Sequence, residues 1–149
     1  MARLIIDTSG YLAGMARSHP LRPAIRKALA EADQAPVISP LVVAELDYLV
    51  LDRAGVKAEI ELLDELTGGA YDLADVDTDD LRAARGIIAR YQDLRIGVAD
   101  AVNMILADRF ETNEVLTLDQ RHYRAVTPLT GRFPAYRLVP LDDPAAGAA

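Results

Sequence analysis

The chain has 149 residues, of which 51% are hydrophobic and 26% are charged, a composition typical of one globular domain rather than a disordered segment. It has no cysteine, which excludes disulfides, thiolate zinc sites and cysteine nucleophiles, and its two histidines argue against a histidine-rich metal site. The net charge of −7 argues against a broad nucleic-acid-binding surface. The absence of a basic-then-apolar leader or a membrane-length apolar run predicts a cytoplasmic protein.

Strand and helix patterns alternate along the chain. Short apolar runs predict strands at residues 4–6, 36–39, 71–76, 114–117 and 137–139. Helical patterns lie between them at residues 11–17, 23–33, 41–53, 56–66, 78–90 and 98–110. This order predicts an α/β fold with a short, mainly parallel sheet flanked by helices. We predict one domain over residues 1–141 and a flexible tail over residues 142–149, which are rich in alanine, glycine and proline.

Two aspartates follow predicted strands, where ligands bind in parallel α/β sheets. Asp7 comes directly after the apolar run at residues 4–6, and Asp119 comes two residues after Thr117, at the end of another strand. The simpler interpretations are a helix-capping aspartate at position 7 and a turn-forming aspartate at position 119. The Thr117 hydroxyl is expected near the same strand end.

Two further acids lie in apolar helical segments. The neighbours of Glu45 at three and four positions are apolar or aromatic, so Glu45 is predicted to face the core or a cleft, where an unpaired charge is costly. A buried salt bridge to an arginine is the alternative. Asp100 lies in the apolar stretch 98–106 with Asn103 one turn on, and its alternative is a first-turn acid stabilised by the helix dipole.

If these four carboxylates converge, their mutual repulsion must be relieved. Raised pKa values would relieve part of it, and bound divalent cations would relieve it more fully. Carboxylate oxygens suit hard ions such as Mg²⁺ or Mn²⁺. The chemistry that needs such a site is phosphodiester hydrolysis by a metal-activated water.

The four acids lie in four segments, LIIDTS at 4–9, SPLVVAELDYL at 39–49, IGVADA at 96–101 and LTLDQRHY at 116–123. These segments, in this order, resemble the PIN-domain ribonucleases, and their order and spacing are most similar to VapC toxins of bacterial toxin–antitoxin modules. The resemblance extends from residue 3 to about residue 140 and implies a PIN-like three-layer fold.

The resemblance also implies a catalytic site. The acidic quartet of the family falls on Asp7, Glu45, Asp100 and Asp119. These residues would bind Mg²⁺ or Mn²⁺ and hydrolyse RNA, the first three holding one ion and Asp119 completing the cluster or holding a second. Residues expected to support the site are Thr8, Ser9, Asn103 and Thr117.

Partners follow from the same resemblance. It implies cleavage of structured RNA (tRNA or a ribosomal RNA loop), inhibition by a cognate VapB-type antitoxin on a hydrophobic groove among the early helices, and a homodimer. Arg95, Arg121 and Arg124 are the preferred phosphate contacts, with Arg82, Arg85 and Arg90 as further candidates. His122 is predicted to be a surface residue of a short turn, with a phosphate contact as the alternative.

Two other functions fit parts of the pattern. A phosphoryl-aspartate enzyme would use Asp7 as nucleophile, but Ser9 stands where a second aspartate is usual. A non-catalytic PIN-like interaction module would use the acids to anchor an arginine of a partner. Alanine substitution at Asp7 separates these possibilities, because only a nuclease loses RNA cleavage.

Overall fold

The computed structural model describes residues 2–144, which form five strands and seven α-helices. The strands are β1 (Ile5–Ile6), β2 (Val37–Ile38), β3 (Asp72–Leu73), β4 (Glu114–Leu116) and β5 (Arg137–Val139). The helices are α1 (Thr8–Met15), α2 (Arg22–Glu31), α3 (Pro40–Ala54), α4 (Val56–Thr67), α5 (Thr78–Arg90), α6 (Val98–Arg109) and α7 (Gln120–Ala125). A short 3-10 helix, Gln92–Leu94, connects α5 to the segment before α6.

All neighbouring strands pair in parallel, in the order β3-β2-β1-β4-β5. β1 therefore lies in the centre of the sheet beside β4, and their carboxyl ends are adjacent. The backbone N–H of Asp7 donates to the carbonyl of Leu116 at 3.0 Å, which continues the pairing one residue beyond β1. The topology thus brings the residues after β1 and β4 to one place.

Successive strand residues face opposite sides of the sheet and build two cores. Ile5 packs in the core covered by α5, α6 and α7, whereas Ile6 packs in the core covered by α1 to α4. The same alternation holds for Val115 and Leu116 in β4. The result is three layers of helices, sheet and helices, which confirms the predicted fold class. No helix within residues 2–144 has the length and apolar character needed to cross a membrane.

The boundaries differ from the predicted ones in three places. α1 begins at Thr8 rather than at residue 11, directly after Asp7. β3 is two residues long rather than six because only Asp72 and Leu73 pair with β2. α7 was not predicted, and it places His122 on a helix rather than in a turn.

The tail predicted to begin at Asp142 is tied down at its first two residues. Asp142 is ion-paired with Arg124, and Asp143 is ion-paired with Arg137 at 2.9 Å. The remainder of the predicted tail, residues 145–149, lies outside the described residues.

Candidate active site

Asp7 is buried at the carboxyl end of β1, with 4% of its surface exposed. It stands at the N-cap position of α1, yet its side chain makes no capping hydrogen bond, so the helix-capping interpretation is wrong. Its Oδ2 instead accepts hydrogen bonds from the hydroxyls of Thr117 at 2.6 Å and Ser9 at 3.0 Å. The carboxylate is therefore held by neutral hydroxyl donors rather than by a cation.

The Ser9 and Thr117 hydroxyls also lie in contact and bind the loop after β4. Their hydroxyl oxygens are 3.2 Å apart, and both accept from this loop, Ser9 from the N–H of Leu118 at 3.0 Å and Thr117 from that of Asp119 at 2.9 Å. These two predicted supporting residues thus fix the ends of β1 and β4 relative to each other.

Gly10 explains how α1 comes so close to β4. A Cβ at this position would lie 2.4 Å from the backbone carbonyl oxygen of Leu116. A residue without a side chain is therefore needed for α1 to start beside the strand, and this start positions Ser9 above the strand end.

Asp100, in the first turn of α6, lies near Asp7 at the carboxyl ends of β1 and β4. Burial and the charge of Asp7 raise its pKa from 3.8 to about 7, a rise that the hydrogen bond from His122 partly opposes. The charge of Asp119 raises this pKa further. Asp7, Asp100 and Asp119 are therefore close enough to repel one another, as the sequence predicted for converging carboxylates.

Asp119 caps α7 and completes this group. Its Oδ1 accepts from the backbone N–H groups of Arg121 at 3.1 Å and His122 at 3.5 Å. This oxygen therefore has the local backbone role expected of a turn-forming aspartate. The other, Oδ2, lies 3.3 Å from Nδ1 of His122. One carboxylate thus shapes α7 and faces the acidic site at once.

Glu45 lies on an exposed part of α3 rather than in the core. Its Oε1 accepts from the Thr8 hydroxyl at 2.9 Å, which joins α3 to the start of α1. Together with Asp100 it lines a cleft of about 310 Å³ whose other walls come from α3 and the start of α6. Of the two predicted environments, the structure shows the cleft, and no arginine pairs with Glu45 among residues 2–144.

Asn103 lies beneath the site and is fully buried. Its Nδ2 donates to Tyr123 Oη at 3.1 Å and lies 3.5 Å from both the Ile6 carbonyl and Asp7 Oδ1. Burial and the charges of Asp7 and Asp100 raise the pKa of Tyr123 well above its ordinary value, so Tyr123 remains a neutral phenol. This neutral network supports the acids from below.

His122 belongs to the site, although the sequence predicts only a surface residue of a short turn. It is half-buried and contacts two of the acids. Its Nδ1 lies 2.7 Å from Asp100 Oδ2, and its Nε2 lies 3.0 Å from the Leu94 carbonyl. Burial alone would lower the pKa of His122, but the hydrogen bond to Asp100 and the charges of both aspartates outweigh it and raise the pKa. Both ring nitrogens face oxygen acceptors, so the contact with Asp100 contains a shared proton.

The predicted phosphate-binding arginines have different surroundings. Arg95 and Arg121 are exposed, and neither forms an ion pair within the described part of the chain. Arg124 is engaged with both carboxylate oxygens of Asp142, at 2.8 and 2.5 Å. This pairing occupies two of the five N–H donors of Arg124, so Arg124 is less available to a phosphate than Arg95 and Arg121 are.

The donor set of this site fits a hard divalent cation. Three carboxylates converge and a fourth lines the adjoining cleft. Across residues 2–144, no lysine or arginine pairs with any of the four. Single ligand atoms of Asp100, Asp119 and His122 lie within 4.8 Å of one another. Clustered carboxylate oxygens without a paired lysine or arginine suit Mg²⁺ and Mn²⁺.

The fold and this acidic site define a class of protein. The PIN domain model matches residues 4–127, and the chain belongs to the PIN domain family, as the four segments predicted. Among characterised proteins, Ribonuclease VapC26 of Mycobacterium tuberculosis (strain ATCC 25618 / H37Rv) is 48% identical over 128 residues, which cover 86% of this chain and 95% of that protein.

A solved structure shares the fold. The crystal structure of Mycobacterium tuberculosis VapC20, described as a sarcin-ricin loop cleaving toxin, matches with a TM-score of 0.73 and 15% sequence identity. The match covers 85% of this chain and 98% of that one. At this identity the likeness shows a common fold, and the identity to VapC26 is the more specific similarity.

Proposed function

We propose that this protein is a divalent-metal-dependent endoribonuclease and the toxin component of a type II toxin–antitoxin system. The observation that carries the proposal is the convergence of Asp7, Asp100 and Asp119, with the pKa of Asp100 raised to about 7 and no lysine or arginine paired with them in residues 2–144. Such crowding of negative charge is costly without a cation. A cation held there would neutralise the charge of a phosphoryl group. The 48% identity to a VapC ribonuclease supports the same activity.

In this proposal, Asp7, Glu45 and Asp100 hold one Mg²⁺ or Mn²⁺, and Asp119 completes the cluster or holds a second ion. A bound ion supplies a water of lowered pKa and neutralises charge on the phosphoryl group. The chain keeps the ligands ready: Thr117 and Ser9 orient the carboxylate of Asp7. Hydrolysis breaks the bond between phosphorus and the 3′-oxygen and leaves a 3′-hydroxyl and a 5′-phosphate.

The substrate class is structured RNA, tRNA or a ribosomal RNA loop, cleaved in the cytoplasm. Arg95, just after the 3-10 helix, and Arg121, at the start of α7, are the exposed cations nearest in sequence to the site that form no ion pair within residues 2–144. Because the net charge is −7, local contacts and RNA shape govern recognition rather than wide counterion release.

A VapB-type antitoxin is the proposed partner, and the apolar surface of α3 and α4 is its proposed docking face. This surface exposes 69% of Tyr48, 60% of Val56 and 55% of Ile60, with Leu51 and Leu63 beside them. Several large apolar side chains exposed on two packed helices favour a protein partner. We also propose a homodimer, as in many VapC proteins, and sedimentation of the purified toxin tests it.

The deciding experiment is the mapping of RNA 5′ ends after induced expression of the wild type and of Asp100→Asn. New 5′-phosphate ends at defined sites should appear with the wild type and disappear with the variant. Asp108→Asn is the matched control, because Asp108 lies eight residues further along α6, about 12 Å along its axis. A wild type that yields no new ends, with or without Mg²⁺ or Mn²⁺ in vitro, would instead favour a non-catalytic interaction module.

A further inference from the structure

The His122 ring joins three segments of the chain at the acidic site. Nδ1 lies 2.7 Å from Asp100 on α6 and 3.3 Å from Asp119 at the start of α7. Nε2 lies 3.0 Å from the Leu94 carbonyl, at the end of the 3-10 helix. The side chain is only 15% exposed, so these contacts are made largely away from bulk water.

The local backbone fixes the ring in this place. Asp119 Oδ1 accepts from the N–H of His122, so the carboxylate and the ring are held by the same turn of α7. Leu94 immediately precedes Arg95, whose φ of 53° ends the 3-10 helix. The ring therefore links the acids to the segment that presents an exposed arginine.

Each nitrogen of an imidazole has one in-plane direction for a proton or a lone pair. Nε2 uses its direction toward a carbonyl, and Nδ1 uses its direction toward two carboxylate oxygens. Without this shared donor, two carboxylates of like charge would move apart. Both directions are used by protein oxygens, which favours a role in holding ligands over a role as a ligand.

We propose that His122 is a positioning residue, which sets the separation of Asp100 and Asp119 and ties both to the Leu94 carbonyl. The inference rests on the proposed function, since these aspartates are its proposed metal ligands. It assigns His122 no contact with the substrate.

Two substitutions test the two ring nitrogens of His122 separately. His122→Asn keeps an N–H donor near the position of Nδ1 and loses the contact with Leu94. His122→Gln keeps a donor near the position of Nε2 and loses the contact with the carboxylates. His19→Asn is the control, because His19 Nδ1 accepts from the Leu21 N–H, away from the site, and asparagine can replace that acceptor.

The measurements are the affinities for Mg²⁺ and for Mn²⁺ by calorimetry, the unfolding midpoint in chelator, and kcat and KM on a cleaved RNA. We expect His122→Gln to lower the affinity for both ions by about tenfold or more, which is the loss typical when a group supporting a metal ligand is removed. His122→Asn should restore affinity to within about threefold of the wild type. The effect on catalysis should fall mainly on kcat, with KM for RNA little changed.

Several results would overturn the inference. Equal losses in the two variants would show a general packing role, and a much larger loss for Mn²⁺ than for Mg²⁺ would show that His122 is a nitrogen ligand. If neither variant folds, Mg²⁺ titration of the ¹⁵N-labelled wild type decides: the imidazole signals of His122 should shift and those of His19 should not, and unchanged His122 signals would refute the role.

Failure of the proposed function has a different signature. A wild type that binds neither ion and cleaves no RNA overturns that function, and the inference with it. A wild type that binds and cleaves beside an unimpaired His122→Gln overturns the inference alone.

Discussion

Replacing Asp100 with asparagine should stabilise the metal-free protein while abolishing its activity. In the folded chain the pKa of Asp100 is raised from 3.8 to about 7 by burial and by Asp7. The folded state therefore binds this proton more tightly than the unfolded state, and the contribution of Asp100 to stability is lost as pH rises from below 4 to above 7. Asparagine cannot ionise and keeps an acceptor for His122, so it escapes the loss.

The size of the gain follows from this pKa. Each tenfold change in proton affinity is about 1.4 kcal/mol, so the change from 3.8 to about 7 corresponds to about 4 kcal/mol as an upper bound. We expect Asp100→Asn to raise the free energy of unfolding at pH 8 by about 2 to 4 kcal/mol and at pH 4 by about 0.5 kcal/mol. For a chain of this size, 2 to 4 kcal/mol raises Tm by roughly 5–15 °C.

The assay is urea unfolding in chelator at pH 4, 6 and 8 for the wild type, Asp100→Asn and the control Asp108→Asn. Adding Mn²⁺ at pH 8 should then stabilise the wild type and leave Asp100→Asn nearly unchanged. The difference in their free energies of unfolding should therefore become smaller. A variant no more stable than the wild type at pH 8, or equally stabilised at pH 4 and pH 8, would refute the reasoning. A gain of the same size in Asp108→Asn would trace the effect to net charge instead.

Four further substitutions test other parts of the structure. Gly10→Ala should destabilise the fold by about 2 kcal/mol or more, since its Cβ would meet the backbone of β4, whereas Gly86→Ala, in open space on α5, should stabilise it by about 0.5–1 kcal/mol; thermal unfolding compares the two. Asp77→Ala removes one half of the capping box of α5 and should cost about 1 kcal/mol in urea unfolding. Glu45→Gln keeps an acceptor for Thr8 on an exposed surface, so its Tm should stay within about 1 °C of wild type, while Mg²⁺ affinity and RNA cleavage fall; unchanged affinity would remove Glu45 from the site.

Local patterns predicted the parts of the site that strands and long helices determine. Ile5 and Ile6 form a buried strand with Asp7 directly after it, so the position of Asp7 follows from strand and parallel-sheet rules alone. Asp100 was found because a charge in an apolar helix is costly unless it serves a purpose. The raised pKa of Asp100, in contrast, depends partly on Asp7, which is 93 residues earlier in the chain. A local sequence pattern cannot predict a contact between residues so far apart.

The missed features depend on tertiary contacts. α7 has six residues, too few for a clear periodic pattern, and it is held by the cap of Asp119 and by the contact of His122 with Leu94. The environment of Glu45 was ambiguous for a different reason. Apolar neighbours such as Tyr48 indicate a surface that needs cover, but the sequence does not say whether this chain or a partner supplies it, and here Tyr48 is 69% exposed.

The three converging aspartates are tolerated in three different ways, none of which uses a lysine or arginine within residues 2–144. Asp7 is stabilised by neutral hydroxyls, Asp100 by a raised pKa and by the contact with His122, and Asp119 by the N-terminus of α7. An arginine in their midst would stabilise the fold more, but it would neutralise the site and compete with a cation. In the proposed function, this arrangement lowers the stability of the metal-free state and would recover it on metal binding, which is expected where function and fold make opposite demands on the same residues.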